Sequence, residues 1–225
     1  MSRQNYTNRI GNITTTTLDL IYTVPDKKMA IFSNSYIKEI TGNTPTIKIQ
    51  IIDSSDTAFT IVDTTMVAGA ETSVVPQPLV LDEKEKIKMQ AGTADRLNYF
   101  FGFVEIDQGI NNKYLNKMQL LETTDTTTLY TVPADSTAII LSYYSMNTSA
   151  SNVAGNSIYF STSGGTDVLI DAGTATAKGL FTHLQDRTHV LQEGQSVKYD
   201  AGAVDVINTF VSVLEMKKAG GSASG

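Results

Sequence analysis

The sequence predicts an all-β protein: two tandem antiparallel β-sandwich domains, with a jelly-roll-like topology as one form, related by internal duplication. Three observations predict it. First, Ile21-Tyr22-Thr23-Val24-Pro25 returns as Leu129-Tyr130-Thr131-Val132-Pro133, 108 residues later, each time after a threonine-rich lead-in. Second, a closing segment repeats at an offset of 110. Leu81, Glu83, Lys88, Ala91-Gly92, Asp95, Asn98, Phe100 and Glu105 match Leu191, Glu193, Lys198, Ala201-Gly202, Asp205, Asn208, Phe210 and Glu215. Third, Thr, Ser, Val and Ile are abundant, and turn signals recur roughly every 8–12 residues without a sustained helical period. Echoes at both ends of each unit mark one unit built twice. Units of about 100 residues are domains, too long for the short repeats of a solenoid.

The expected boundaries follow. Residues 1–107 form an N-terminal arm plus the first sandwich, 108–118 a linker, 119–217 the second sandwich and 218–225 a flexible tail. Residues 1–16 are polar and read as an extended arm. Leu18 to Val24 is the first strand, which Pro25 ends because proline offers no N–H to a ladder. Asp26-Lys27-Lys28 makes the turn, as Ala134-Asp135-Ser136 does in the second unit. Met29 to Ile40 and Thr137 to Met146 are long second strands. Thr46 to Ile51 alternates apolar and polar residues, the pattern of a half-buried strand. Phe59 and Ile61 continue it beyond the polar loop Asp53 to Asp56. Val74 to Pro78, with two prolines, reads as an edge or crossing segment. Glu85 to Ala91 alternates again, and Ala91 to Asp95 reads as a hairpin loop. Leu97 to Ile106 is apolar on both parities, as a strand covered on both faces would be.

The second unit repeats the order with Ser157 to Ser161, Val168 to Ile170, Gly179 to Leu184, Val197 to Tyr199 and Val206 to Leu214. Ala201 to Asp205 is its last hairpin loop, and Gly164-Gly165 is a turn. Asp107 to Met118 has the polar composition of a linker. Lys217 to Gly225 has that of a flexible tail.

Charge and composition exclude several function classes. The net charge is −6, and a cut after Asp107 leaves each part at −3. Neither part is a basic nucleic-acid arm, and nothing favours an anionic membrane surface. There is no cysteine, so disulfides and cysteine–zinc sites are excluded. The first residues lack the apolar core of a secretory signal, and no apolar run is long enough to span a membrane as a helix. Synthesis in the cytoplasm without secretion is expected.

The candidate chemistry is sparse. His183 and His189 stand six apart with Asp186 and Arg187 between them, without a zinc spacing. Asp53, Asp56 and Asp63 flank a polar loop, but not at EF-hand spacing, and read as turn residues. Glu83-Lys84-Glu85-Lys86 reads as the solvated start of a strand protected by lysines. Glu105 and Glu215 fall in different units, which argues against a paired-carboxylate site. No nucleophile elbow, P-loop or dinucleotide fingerprint is present. The expectation is no enzyme, no cofactor, no metal and no catalytic residue. Tyr22 and Tyr130 read as core residues with hydroxyls bonded at the rim. The competing use of tyrosine is stacking on sugar rings.

The lead-in Thr127-Thr128-Leu129-Tyr130-Thr131-Val132-Pro133-Ala134 resembles a T-x-L-Y-T-V-P-A module of tailed-bacteriophage virion proteins. Asn147-Thr148-Ser149, Leu191 to Gly194 and Leu214-Glu215 fit the rest of that module. The first unit departs from it, with Asp26 where alanine is usual and Glu85 where glycine would fall. The resemblance implies a non-enzymatic structural component of a phage particle, an accessory protein of head, neck, tail or fibre base. Its implied partners are other virion proteins (capsid, neck or tail) and further copies of itself, with no nucleic acid and no membrane. The alternative is a glycan- or receptor-binding module of a tail fibre. Terminal arms without a core-forming pattern are expected to lie in contacts between copies.

Overall fold

The computed structural model describes residues 4–73, 78–108, 112–183 and 189–218. Among them every regular element is a strand. The first half contains β1 (Gln4–Asn12), β2 (Asp19–Thr23), β3 (Lys28–Glu39), β4 (Thr46–Ile52), β5 (Ala58–Thr65), β6 (Glu71–Thr72), β7 (Leu79–Leu81), β8 (Lys86–Ala91) and β9 (Leu97–Asp107). The second half contains β10 (Asn112–Leu120), β11 (Thr127–Thr131), β12 (Ser136–Asn147), β13 (Val153–Ser161), β14 (Asp167–Ala175), β15 (Leu180–His183), β16 (His189–Gln192), β17 (Ser196–Asp200) and β18 (Ile207–Lys217).

Four antiparallel sheets result. In the first half the orders are β1-β9-β3-β6, with β7 also on β3, and β2-β8-β4-β5. In the second they are β10-β18-β12-β15, with β16 also on β12, and β11-β17-β13-β14. Each strand of the first half thus has a counterpart nine strands later with the same neighbours. The irregularities repeat as well. The β2/β8 ladder shifts register between Leu20 and Tyr22, and β11/β17 between Thr128 and Tyr130. The β3/β9 ladder shifts between Phe32 and Asn34, and β12/β18 between Ile140 and Ser142. A bulge reorients the side chains beyond it, so matched bulges keep matched faces.

Alternation explains which faces meet. In β8, Ile87, Met89 and Ala91 are buried while Lys86, Lys88 and Gln90 are half-covered. They join Tyr22, Ile49 and Ile51 from the same sheet, and Phe32, Phe101 and Phe103 from the other, in one apolar cluster. Tyr22 stacks on Phe103 at 4.0 Å between ring centroids. A second cluster joins Ala138, Ile140, Tyr143 and Val211 to Tyr130, Ile158, Val197 and Tyr199. The clusters do not divide at the chain midpoint, because Tyr144, Met146 and Phe210 of the second half belong to the first.

Turn geometry repeats too. Lys27 and Asp135 have φ of 60° and 55°, Asp95 and Asp205 57° and 58°, and Lys84 and Gly194 67° and 75°. The amides of Lys84 and Gly194 donate to the carbonyls of Val24 and Val132. The residue standing for the motif glycine is therefore Lys84, not Glu85.

Three expectations change. The segment read as a linker is mostly β10, paired along its length with β18, so the boundary expected at residue 118 falls inside a strand. Its polar composition is that of an edge strand, with Lys113 and Lys117 in water and Leu115 in the core. The N-terminal arm is likewise β1, held within the chain by β9 from Gln4↔Ile106 to Asn12↔Asn98. Finally, the loops Ala91 to Asp95 and Ala201 to Asp205 do not close hairpins, because the strands they join lie in different sheets. A reversal carries the same glycine and aspartate signal whichever sheet receives the next strand. Residues 74–77 of the proline-rich segment and 219–225 of the tail lie outside the described residues.

Candidate functional site

The chemistry-bearing side chains are used to hold the fold. Tyr22 Oη donates to Glu105 Oε1 at 3.0 Å, and Tyr130 Oη to Glu215 Oε2 at 3.1 Å. Burial, then the neighbouring carboxylate, pushes both phenols up, so each stays a donor. Glu105 Oε2 also accepts from Lys28 Nζ at 3.0 Å and Asn5 Nδ2 at 3.2 Å. Burial opposes its charge, but these hydrogen bonds outweigh that and hold Glu105 below its ordinary range. The two motif tyrosines and the two strand-end glutamates therefore pair within each half.

Glu39 and Asn147 occupy another matched position. Glu39 is fully buried. It accepts the amides of Thr41 and Gly42 at 2.8 Å and of Gly69 at 2.7 Å, together with the Thr41 hydroxyl. Burial raises its pKa, but these donors win and bring it to about 2. Asn147 does the same work with a neutral amide, donating to Ser151 and Thr176 carbonyls and accepting the Ser149 amide. The Asn-Thr-Ser stretch is thus a loop clamp.

The metal candidates disperse. Asp53 Oδ1 accepts the amides of Ser55 and Thr57 at 2.8 Å, Asp56 pairs with Lys86 at 2.6 Å, and Asp63 pairs with Lys178 at 3.3 Å. His189 meets the Phe160 ring edge-on at 5.2 Å. The His183 side chain, Asp186 and Arg187 lie outside the described residues. Among those described, no group of three His, Cys, Asp or Glu could hold a metal ion. No described helix is long and apolar enough to cross a membrane, which says nothing about crossing by strands.

The two halves meet along a seam. The second half applies the outer face of its β10-β18-β12 sheet to one edge of the first half, formed by β5 and β7. Phe210 of β18 meets Phe59 of β5 edge-on at 6.4 Å. Asn208 Nδ2 donates to the Thr60 carbonyl at 3.2 Å, and the Val80 amide to Ser212 Oγ at 3.0 Å. Ser142 Oγ donates to the Pro78 carbonyl. The Lys178–Asp63 pair closes one end. At the other end the Asn116 amide approaches Asp82 Oδ2 at 3.4 Å.

That end carries a correction. Glu85, expected in solvent, is 5% exposed. Its Oε2 accepts the Asp82 amide at 2.9 Å. Gln195 stands at the matched position and makes the matched bond, from the Gln192 amide at 2.7 Å. Burial, then the charge of Asp82, pushes the Glu85 carboxyl up to about 8. Around neutrality it is therefore mostly protonated and imitates the glutamine of the second half. Burial also raises Asp82, against the Asn116 amide and the charges of Lys113 and Lys117.

Beside the seam a groove of about 480 Å³ opens along β5 and β6, lined by Val62, Thr64, Met66, Thr72, Met146 and Leu180 among others. Among the described residues that line it, none is aromatic.

No protein-family model matches the chain, and no curated protein matches it. Solved structures do. A chain from the atomic structure of Sulfolobus Turreted Icosahedral Virus matches with a TM-score of 0.31 and 12% identity, over 96% of this chain and 61% of that one. The major capsid protein P2 of bacteriophage PM2 matches with a TM-score of 0.34 and 10% identity, over 98% and 100%. The CBM22 tandem domain of Paenibacillus barcinonensis Xyn10C matches with a TM-score of 0.25 and 12% identity, over 96% and 91%. The chain thus spans about three fifths of the first of these.

The seam, Glu39 and Glu85 went unrecognised in the sequence. A signal for the seam was present. Asn98 and Phe100 match Asn208 and Phe210 on the outward parity, and residues without a shared core duty have no reason to repeat there.

Proposed function

We propose that this chain is a non-enzymatic structural component of a bacteriophage particle, an accessory protein that decorates or joins head, neck or tail through protein–protein contacts. Counting β6 and β7 as one interrupted strand, each half has eight strands in two sheets, the order of a jelly roll. On this reading the chain is two tandem jelly-roll-like sandwiches that arose by duplication. The observation that carries the proposal is the seam, an apolar face-to-edge contact between two copies of one unit. A unit that already packs on its own duplicate is suited to building larger arrays. The use of tyrosines, glutamates and aspartates as internal anchors agrees with a role without catalysis. The T-x-L-Y-T-V-P-A resemblance supports a place on a tailed phage.

The test is mass spectrometry of density-purified particles. The chain is expected at a fixed copy number relative to the major capsid protein. Its absence from purified particles, with strong saturable binding on a glycan array, would favour the receptor-binding reading instead. Among the described residues lining the groove beside the seam, none offers a ring for a sugar to stack on.

A further inference from the structure

The seam joins a face of the second half to an edge of the first, and the fold makes each of these surfaces twice. One copy of each is covered and the other is not. Ladder registers fix the correspondence. On the face, Ile10 and Tyr36 sit opposite Phe100 in the first half, as Met118 and Tyr144 sit opposite Phe210 in the second. Extending the registers, Tyr6, Asn8, Tyr36, Asn98 and Phe100 repeat Tyr114, Asn116, Tyr144, Asn208 and Phe210 residue for residue. In the second half Asn116, Tyr144, Asn208 and Phe210 lie against the first half. In the first half Tyr6 is 75%, Ile10 68% and Tyr36 43% exposed.

The edge shows the reverse. Thr60 lies opposite Gln50 as Leu169 lies opposite Tyr159, and Val80 lies opposite Ile31 as Val190 lies opposite Ile139. Phe59, Thr60, Ile61 and Val80 are all buried, whereas Val168, Leu169, Ile170 and Val190 are 49%, 56%, 36% and 58% exposed. Two apolar surfaces thus remain open, one on each half, and they are the same pair that the chain already joins internally. Exposed apolar patches of this kind mark interaction sites.

We propose that the occupant of each surface is a second copy of this chain, docked head to tail. The first-half face of one copy lies on the β14–β16 edge of the next. The contact continues the internal seam and rests on the reading of the chain as an assembling protein. Phe100 of one copy takes the place of Phe210 against Val168, and Asn98 takes that of Asn208 against the Leu169 carbonyl. Several seam contacts are not repeated, and Asn34 stands where Ser142 donates to Pro78. Gly102 replaces Ser212, and Ala172 stands for Asp63 in the ion pair. The contact between copies is therefore weaker than the seam within one. Because face and edge differ, the contact is heterologous, and it either closes a ring or runs on.

The test uses the whole chain in solution, followed by light scattering. Wild type is expected to exceed the monomer mass, increasingly so with concentration. A face variant, Ile10→Glu with Tyr36→Glu, and an edge variant, Leu169→Glu with Val190→Glu, are each expected to be monomeric. All four positions are exposed, so unchanged circular dichroism and melting are expected to show intact folds. Mixed one to one, the two variants are expected to form a heterodimer and nothing larger, since one good face and one good edge remain. The chain lacks cysteine, so Phe100→Cys and Val168→Cys chains are expected to crosslink on oxidation when mixed. A monomeric wild type at all concentrations, variants that still assemble, or a mixture that stays monomeric would each overturn the proposal. Absence of the chain from particles, with this pattern intact, would overturn only its virion placement.

Discussion

Tyr130 anchors the second core through its ring and its hydroxyl, at 5% exposure and 3.1 Å from Glu215. Tyr130→Ala is expected to cost about 2–4 kcal/mol, since it removes a packed aromatic side chain. Tyr130→Phe is expected to cost about 1 kcal/mol, the net value of one hydrogen bond. Denaturant melts of both variants check the difference. Glu85 makes a pH prediction. Its folded pKa of about 8 lies above the ordinary carboxylate value, so the folded state binds its proton more tightly than the unfolded chain does. That stability is complete in acid below the ordinary value and is lost as pH rises through about 8. Asp82, Asp53, Asn116, Lys113 and Lys117 surround the site. Glu85→Gln is expected to remove the alkaline loss and to gain on the order of a few kcal/mol above that pH. Equal pH profiles for the two proteins would contradict the buried-acid account. Glu39, held down to about 2, acts in the opposite sense, and its contribution is lost in strong acid. The motif tyrosines were readable because they recur at one position. Glu85 was not, because a run of alternating charges reads as solvent-facing, and the cover over it comes from Asn116, far along the chain.

Strands were readable where alternation and proline mark them, as in β4, β8 and the Pro25 and Pro133 ends. Partners were not, because alternation states which side of a strand is buried and not which sheet it joins. β10 shows the limit most clearly, since an edge strand has the same polar content as a linker. The glycine of the Ala-Gly echo has a specific cause in the second half. A Cβ on Gly202 would stand 1.5 Å from the Ala154 carbonyl oxygen. Gly202→Ala is therefore expected to cost about 3 kcal/mol, the upper range of overpacking. At Gly194 the cause is backbone conformation, with φ of 75°, and Lys84 bears the same conformation without being glycine. Lys84→Gly is expected to be neutral or slightly stabilising and Gly194→Ala to cost about 1–2 kcal/mol. Thermal melts that rank Gly194→Ala as harmless would show that the turn can relax.

At the scale of the molecule, two equal units do not give two equal surroundings. β18 is buried along most of its length because the first half covers its outer face, while Asn98 on the matched strand β9 is exposed. Residues 112–218 made alone would bare Tyr144, Met146 and Phe210. That fragment is expected to aggregate or to bind the separately made first half. The repeat of strand order was visible in the sequence through the offsets of 108 and 110. The packing of one unit on the other was hidden, because it depends on which parity each bulge turns outward. On the proposal above, one face-to-edge contact, made once inside the chain, is made again between chains on a particle. A density map of the assembled particle tests it most directly. The expected map has β1, β3 and β9 of one copy against β14 and β16 of the next, with Phe100 beside Val168. A map in which both surfaces face solvent, or in which copies meet through a two-fold contact of like surfaces, would contradict it.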